Sequence, residues 1–124
     1  MQTLLAVAVA ATNLLFSQPI IYTAPPSEVV IIERTLEDKV GFYANKYNVS
    51  SEVMLKVIDC ESRGVETAVG DGGDSHGLVQ IHLPSWPEIT QEQAINPGFA
   101  LDFMAKRFSE GRYSLWSCYR SLYN

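Results

Sequence analysis

The chain has 124 residues, a length that fits one domain and leaves no room for a second catalytic one. Hydrophobic residues make up 47% and charged residues 19%, which excludes a disordered chain and a charged coiled coil. With 9 Lys+Arg against 14 Asp+Glu the net charge is -5, so there is no cationic footprint for nucleic acid, and Cys60 and Cys118 are too few for a disulfide scaffold or a four-thiolate zinc site.

No charged side chain precedes Glu28. Residues 4–16 (LLAVAVAATNLLF) form an apolar run of signal-peptide length, shorter than the ~20 residues needed to span a bilayer. The segment 1–24 therefore reads as an export signal or amino-terminal anchor; a buried strand or helix at the domain's edge is the competing reading, because no Lys or Arg forms a positive n-region. Pro25-Pro26 opens a linker over residues 25–34, in which the β-branched run 29–32 fits either a strand or extended chain. Neither an internal repeat nor a low-complexity segment is present.

From Thr35 the spacing is helical. Leu36, Val40, Tyr43, Ala44 and Tyr47 share one face, Glu37, Asp38, Asn45 and Lys46 lie opposite, and Thr35 with Asp38 forms a capping-box pattern. Asn48 breaks this helix, and Ser50 or Ser51 starts a second that runs to about Ser62. Residues 64–77 hold five glycines and two aspartates with no apolar repeat, which predicts a loop. Pro84 and Pro87 confine any helix near them to a single turn. Asn96-Pro97 opens a helix with the stripe Ala100, Phe103, Met104 and Phe108, and Gly111 marks its stop.

The second helix carries the informative residue. Met54, Val57 and Ile58 form its apolar stripe, and the same spacing lands on Glu61, while Glu52, Lys56, Asp59 and Arg63 occupy the other face. A carboxyl on an apolar face is desolvated, lies at the negative end of the helix dipole and has no obligatory cation beside it, all of which hold its proton. That is what general acid catalysis requires. The alternatives are a buried ion pair with Arg63 or Arg112, or a helix that frays before residue 61 and leaves the carboxylate wet.

Three segments resemble the opening signatures of the lysozyme-like soluble lytic transglycosylase (SLT) domains: Tyr47-Asn48-Val49-Ser50, the helix ending Cys60-Glu61-Ser62, and Ser75-His76-Gly77-Leu78-Val79-Gln80-Ile81. Asn96, Pro97, Ala100, Phe103 and Met104 follow that family's next helix with substitutions at four marked positions, and Cys118-Tyr119-Arg120 stands where Ala-Tyr-Asn is usual. The resemblance spans roughly residues 35–120 in order. It implies a mainly α, lysozyme-like α+β fold with a minor β element, one small domain over residues 35–124.

The resemblance also implies an activity, cleavage of the β-1,4 bond between N-acetylmuramic acid and N-acetylglucosamine in peptidoglycan with formation of a 1,6-anhydro sugar. Glu61 takes the place of the single catalytic acid and base, Ser75 and Gln80 match positions lining the glycan cleft, and Tyr119 matches a tyrosine beside the catalytic carboxyl. Glycan strands are the expected partner, in the cell envelope or outside the cell, for a monomer needing neither cofactor nor metal. A second chemistry has Asp71 or Asp74 activate water, making a hydrolytic muramidase. The competing reading of these aspartates is turn chemistry. A module of the same fold that binds glycan without cleaving it is the third reading.

Other motifs are weaker. The loop lacks EF-hand spacing, and His76 and His82 with the aspartates match no zinc-ligand spacing. Trp86 and Trp116 fit sugar stacking or core packing equally, and Asn48-Val49-Ser50 forms a glycosylation sequon. Because Cys60 precedes Glu61 on the helix's inner flank and Cys118 precedes Tyr119, the resemblance leads us to expect a Cys60–Cys118 disulfide clasping the site.

Overall fold

α1 (Leu36–Tyr47) starts where Thr35 and Asp38 satisfy each other's backbone amides: the Asp38 N–H donates to the Thr35 hydroxyl at 3.2 Å and the Thr35 N–H to the Asp38 carboxylate at 3.3 Å. It ends at Asn48, whose left-handed conformation (φ 53°) closes the last turn. Val40 and Ala44 are buried, as their spacing predicts. The computed structural model describes residues 25–27 and 32–124, and its main unit is Glu33–Asn124. The apolar run 4–16 and residues 29–31 lie outside the described residues. Among those described, no helix is long and apolar enough to cross a membrane.

Ser50 caps α2 (Ser51–Ser62) by accepting the Val53 N–H at 3.2 Å. Met54, Val57 and Ile58 are fully buried, whereas Glu52, Lys56, Asp59 and Arg63 face water, with Lys56 reaching Glu52 at 3.0 Å one turn away. The unit's central helix is α4 (Pro97–Ser109), which Asn96 caps through the Phe99 N–H at 3.0 Å. Beyond the expected stripe it also buries Leu101 and Ala105. Lys46 Nζ and Tyr47 Oη both donate to Asp102 Oδ1, at 2.7 and 2.9 Å, fastening α1 to this helix. Buried Trp116 donates its Nε1–H to the Val79 carbonyl at 2.8 Å, anchoring the carboxy-terminal chain.

The expectation of a plain loop over residues 64–77 is corrected. A three-stranded antiparallel sheet, β1 (Val69–Gly70), β2 (Ser75–His76) and β3 (Ile81–His82), pairs Val69 with His76 and Ser75 with His82. Each strand is two residues long, too short to leave an alternating pattern in the sequence. Gly77 follows β2 at φ +85°, and a Cβ there would collide with the Ala94 carbonyl of α3 (Gln91–Ile95), so the sheet rests directly on helix backbone. The single turn allowed by the prolines is the 3-10 turn Leu83–Ser85. Two helices were not anticipated: α3, and α5 (Ser117–Tyr123) at the chain's end. The protein is thus mainly helical, with five α-helices and one small sheet among the described residues.

Cys60 and Cys118 form a disulfide with their Cα atoms 5.9 Å apart, joining the last turn of α2 to the first turn of α5. Cys60 itself is exposed and not on the inner flank: two residues after buried Ile58, it is turned about 200° around the helix axis. α5 has no fully buried residue and no side-chain cap, so the bridge to α2 supplements the packing of half-buried Cys118 and Tyr119 against the core. Replacing both cysteines by alanine is expected to lower the unfolding free energy by about 4 kcal/mol, the entropy of closing so long a loop. Urea titration of the two proteins checks this; equal midpoints would refute it.

Candidate active site

α2 stays helical through Ser62, so Glu61 does not fray into solvent. It lies one turn beyond the fully buried Val57 and Ile58 and is itself half-buried. Its Oε1 accepts the Cys118 backbone N–H at 3.2 Å. The disulfide therefore delivers a peptide donor to the carboxylate lying next to it in sequence.

The ion-pair alternative is corrected as well. Arg63 is exposed in the left-handed position that ends the helix, and Arg112 approaches Glu110 at 3.8 Å. No cation pairs with Glu61 among the described residues; the positive charge of Arg120, on α5, acts on it as the smallest of the influences on its pKa. Even so, the Glu61 pKa is raised: burial is the largest cause, and the negative charge of Asp71 adds to it. The Cys118 N–H and Arg120 oppose the shift without cancelling it.

Asp71 adopts a left-handed backbone (φ 51°), uncommon for a residue with a side chain, and accepts a hydrogen bond from the Ser75 hydroxyl. Ser75 is buried, so its hydroxyl steadies Asp71. Asp74 is exposed, and its backbone serves the turn: its N–H donates to the Asp71 carbonyl and its carbonyl accepts the Leu83 N–H at 2.9 Å. It is not among the groups that shift Glu61. His76 Nε2 lies 2.8 Å from the Gly73 carbonyl and His82 Nδ1 2.8 Å from the Ser85 hydroxyl. Among the described residues no group of three His, Cys, Asp or Glu side chains is placed to hold a metal ion.

Gln80 is also left-handed (φ 51°). Its Nε2 donates to the carbonyls of Ala68 at 3.1 Å and Gly77 at 3.0 Å, and its Oε1 sits where a Cβ on Gly70 would be. So fixed, Gln80 lines a groove of about 330 Å³ together with His82, Ser85, Trp86, Arg112 and Trp116. Glu61 does not line this groove and meets it through the chain from Trp116 to Cys118. The Tyr119 ring packs between Tyr113 (4.8 Å between centroids) and Tyr123 (4.9 Å), with Phe108 at its edge. The influence of Arg120 and the groove position of Arg112 left no periodic signal in the sequence; both are created by the fold.

Comparison with family models, with curated proteins and with solved structures returns no match for this chain.

The raised Glu61 pKa has a definite sign in stability. Because its folded-state value lies above the ordinary 4.5, the protonated carboxyl favours folding, and that contribution is full below pH 4.5 and lost as pH rises through the folded value. Glu61→Gln keeps an oxygen for the Cys118 N–H and has no charge to bury. Its urea midpoint is expected to match the native protein's at acid pH and to exceed it at neutral pH. A gap that closes with rising pH would contradict the assignment.

Proposed function

We propose that this protein cleaves peptidoglycan as a lytic transglycosylase of lysozyme-like architecture, with Glu61 as its single catalytic acid and base. The observation that carries the reading is the setting of Glu61: a half-buried carboxyl whose pKa is raised chiefly by desolvation, in no ion pair among the described residues, and hydrogen-bonded to one peptide N–H. Burial and Asp71 favour the protonated form, which gives its proton to the glycosidic oxygen as the bond to the muramyl C1 breaks. The Cys118 N–H and Arg120 favour the carboxylate that remains. That carboxylate then takes the proton of the muramyl C6 hydroxyl, whose oxygen closes on C1 to form the 1,6-anhydro ring. One protein carboxylate suffices, in contrast to the pair used in ordinary glycoside hydrolysis. The groove from Gln80 to Trp116 offers room for the glycan, and the disulfide fits an exported protein in an oxidising compartment, the cell envelope or beyond it.

A second reading rests on Asp71. Its left-handed backbone, its hydrogen bond from buried Ser75 and its electrostatic reach to Glu61 suit a second carboxylate that activates water, which would make the enzyme a hydrolase. Product chemistry separates the two. The full chain, Glu61→Gln and Asp71→Asn are incubated with purified sacculi and the released fragments weighed by mass spectrometry. Anhydromuropeptides are expected from the native protein and from Asp71→Asn, with release reduced at least ~100-fold in Glu61→Gln. Reducing-end products that vanish in Asp71→Asn would establish hydrolysis, and no release by any of the three would leave a glycan-binding module.

A further inference from the structure

Trp86 is the aromatic residue on the groove wall that a sugar ring could stack against, yet its ring is already engaged. The Arg107 guanidinium lies 4.9 Å and the Arg112 guanidinium 5.6 Å from its centroid, and Phe103 meets it edge-on at 5.0 Å. A guanidinium laid on an aromatic face keeps its edge donors free, and it holds them in the planar fork that matches a carboxylate.

The partners of the cations reinforce this. Lys39, Lys46 and Lys56 each reach a carboxylate within 3.2 Å. Arg112 is only 3.8 Å from Glu110, beyond hydrogen-bond distance, and its side chain is 47% exposed. Arg107 forms no ion pair among the described residues, and its buried Nε has no hydrogen-bond partner. In a chain of net charge -5 the groove thus has a cationic edge, where Arg112 shares the wall with the Ser85 hydroxyl and His82.

We infer that this edge is a carboxylate subsite, with Arg112 as the fork and Trp86 as the platform that orients it. Resting on the peptidoglycan reading above, the carboxylate is one carried by the peptide stem attached to the muramyl sugar. The acetylated sugars themselves are uncharged, so a fork here reads the peptide and not the glycan. The Arg107 guanidinium, over both Phe103 (4.0 Å) and Trp86, stiffens the platform and adds positive potential.

The test measures binding and so does not depend on cleavage. The full chain carrying Glu61→Gln is titrated calorimetrically with a disaccharide-peptide fragment of peptidoglycan, and with the same fragment after its peptide carboxylates have been converted to amides. The free-carboxylate form is expected to bind about tenfold more tightly, the worth of one partly exposed charge-assisted fork, with the ratio shrinking as salt rises. Adding Arg112→Gln is expected to bring the ratio to one. Arg112→Lys, which keeps the charge without the fork, should leave an intermediate ratio, and a thermal midpoint shared by all three proteins shows that folding is intact. Acetyl-alanyl-alanine is expected to displace the fragment better than glycerol phosphate. Equal affinity for both fragments, a preference that survives Arg112→Gln, no binding of either, or better displacement by the phosphate would overturn the proposal. If the sacculi remain uncut while the Arg112-dependent preference holds, the subsite stands and the catalytic reading alone falls.

Discussion

Desolvation of a single carboxyl is the constraint on which the site's arrangement depends. α2 must bury Met54, Val57 and Ile58 to contribute to the core, and helical geometry carries Glu61 toward the same interior. A carboxyl in that position has to find a donor, find a cation or keep its proton. Here the donor comes from the far end of the chain as the Cys118 N–H, and the disulfide at the same residue removes much of the entropic cost of bringing it there. Tether, donor and the positive charge of Arg120 all arrive on α5, so the groups that favour the carboxylate form of Glu61 come from one short element, against burial and Asp71.

α4 plays the corresponding part for the groove. Phe103 meets Trp86 and Trp116 edge-on, and Phe108 touches Tyr113, Trp116 and Tyr119 between 4.6 and 6.1 Å. One helix thereby supports the groove wall and the aromatic stack beneath α5. Phe103 has no hydroxyl to offer, and the polarity of that wall comes instead from the guanidinium groups lying over its aromatics.

What the sequence revealed and what it concealed divide along physical lines. α1, α2 and α4 have long amphipathic repeats with side-chain caps at Thr35, Ser50 and Asn96, and spacing alone locates them and puts Glu61 on an inner face. α3 was legible in principle, since Thr90 and Gln93 form a capping box, but five residues give no periodicity. α5 has only half-buried Cys118 and Tyr119 on its inner side and lacks a side-chain cap, so neither signal is clear for it. The sheet was hidden because two-residue strands cannot alternate, and because glycines that read as loop residues are there for close packing: Gly70 makes way for Gln80, and Gly77 for Ala94. The charges bearing on Glu61 are hidden for a related reason. Arg63 is its neighbour in sequence but faces water, whereas Arg120 is far from it along the chain and acts on it through the docking of α5.

That dependence bears on assembly. Every fully buried large side chain precedes α5 in the chain. The contact between Glu61 and Cys118 spans 57 residues, among the last separations a folding chain closes, and thiol oxidation runs on seconds to hours where helix formation takes about a microsecond. Completion of the site therefore carries a chemical requirement that burial of the core does not: oxidation of two thiols, slow beside helix formation, holds the donor at the carboxyl.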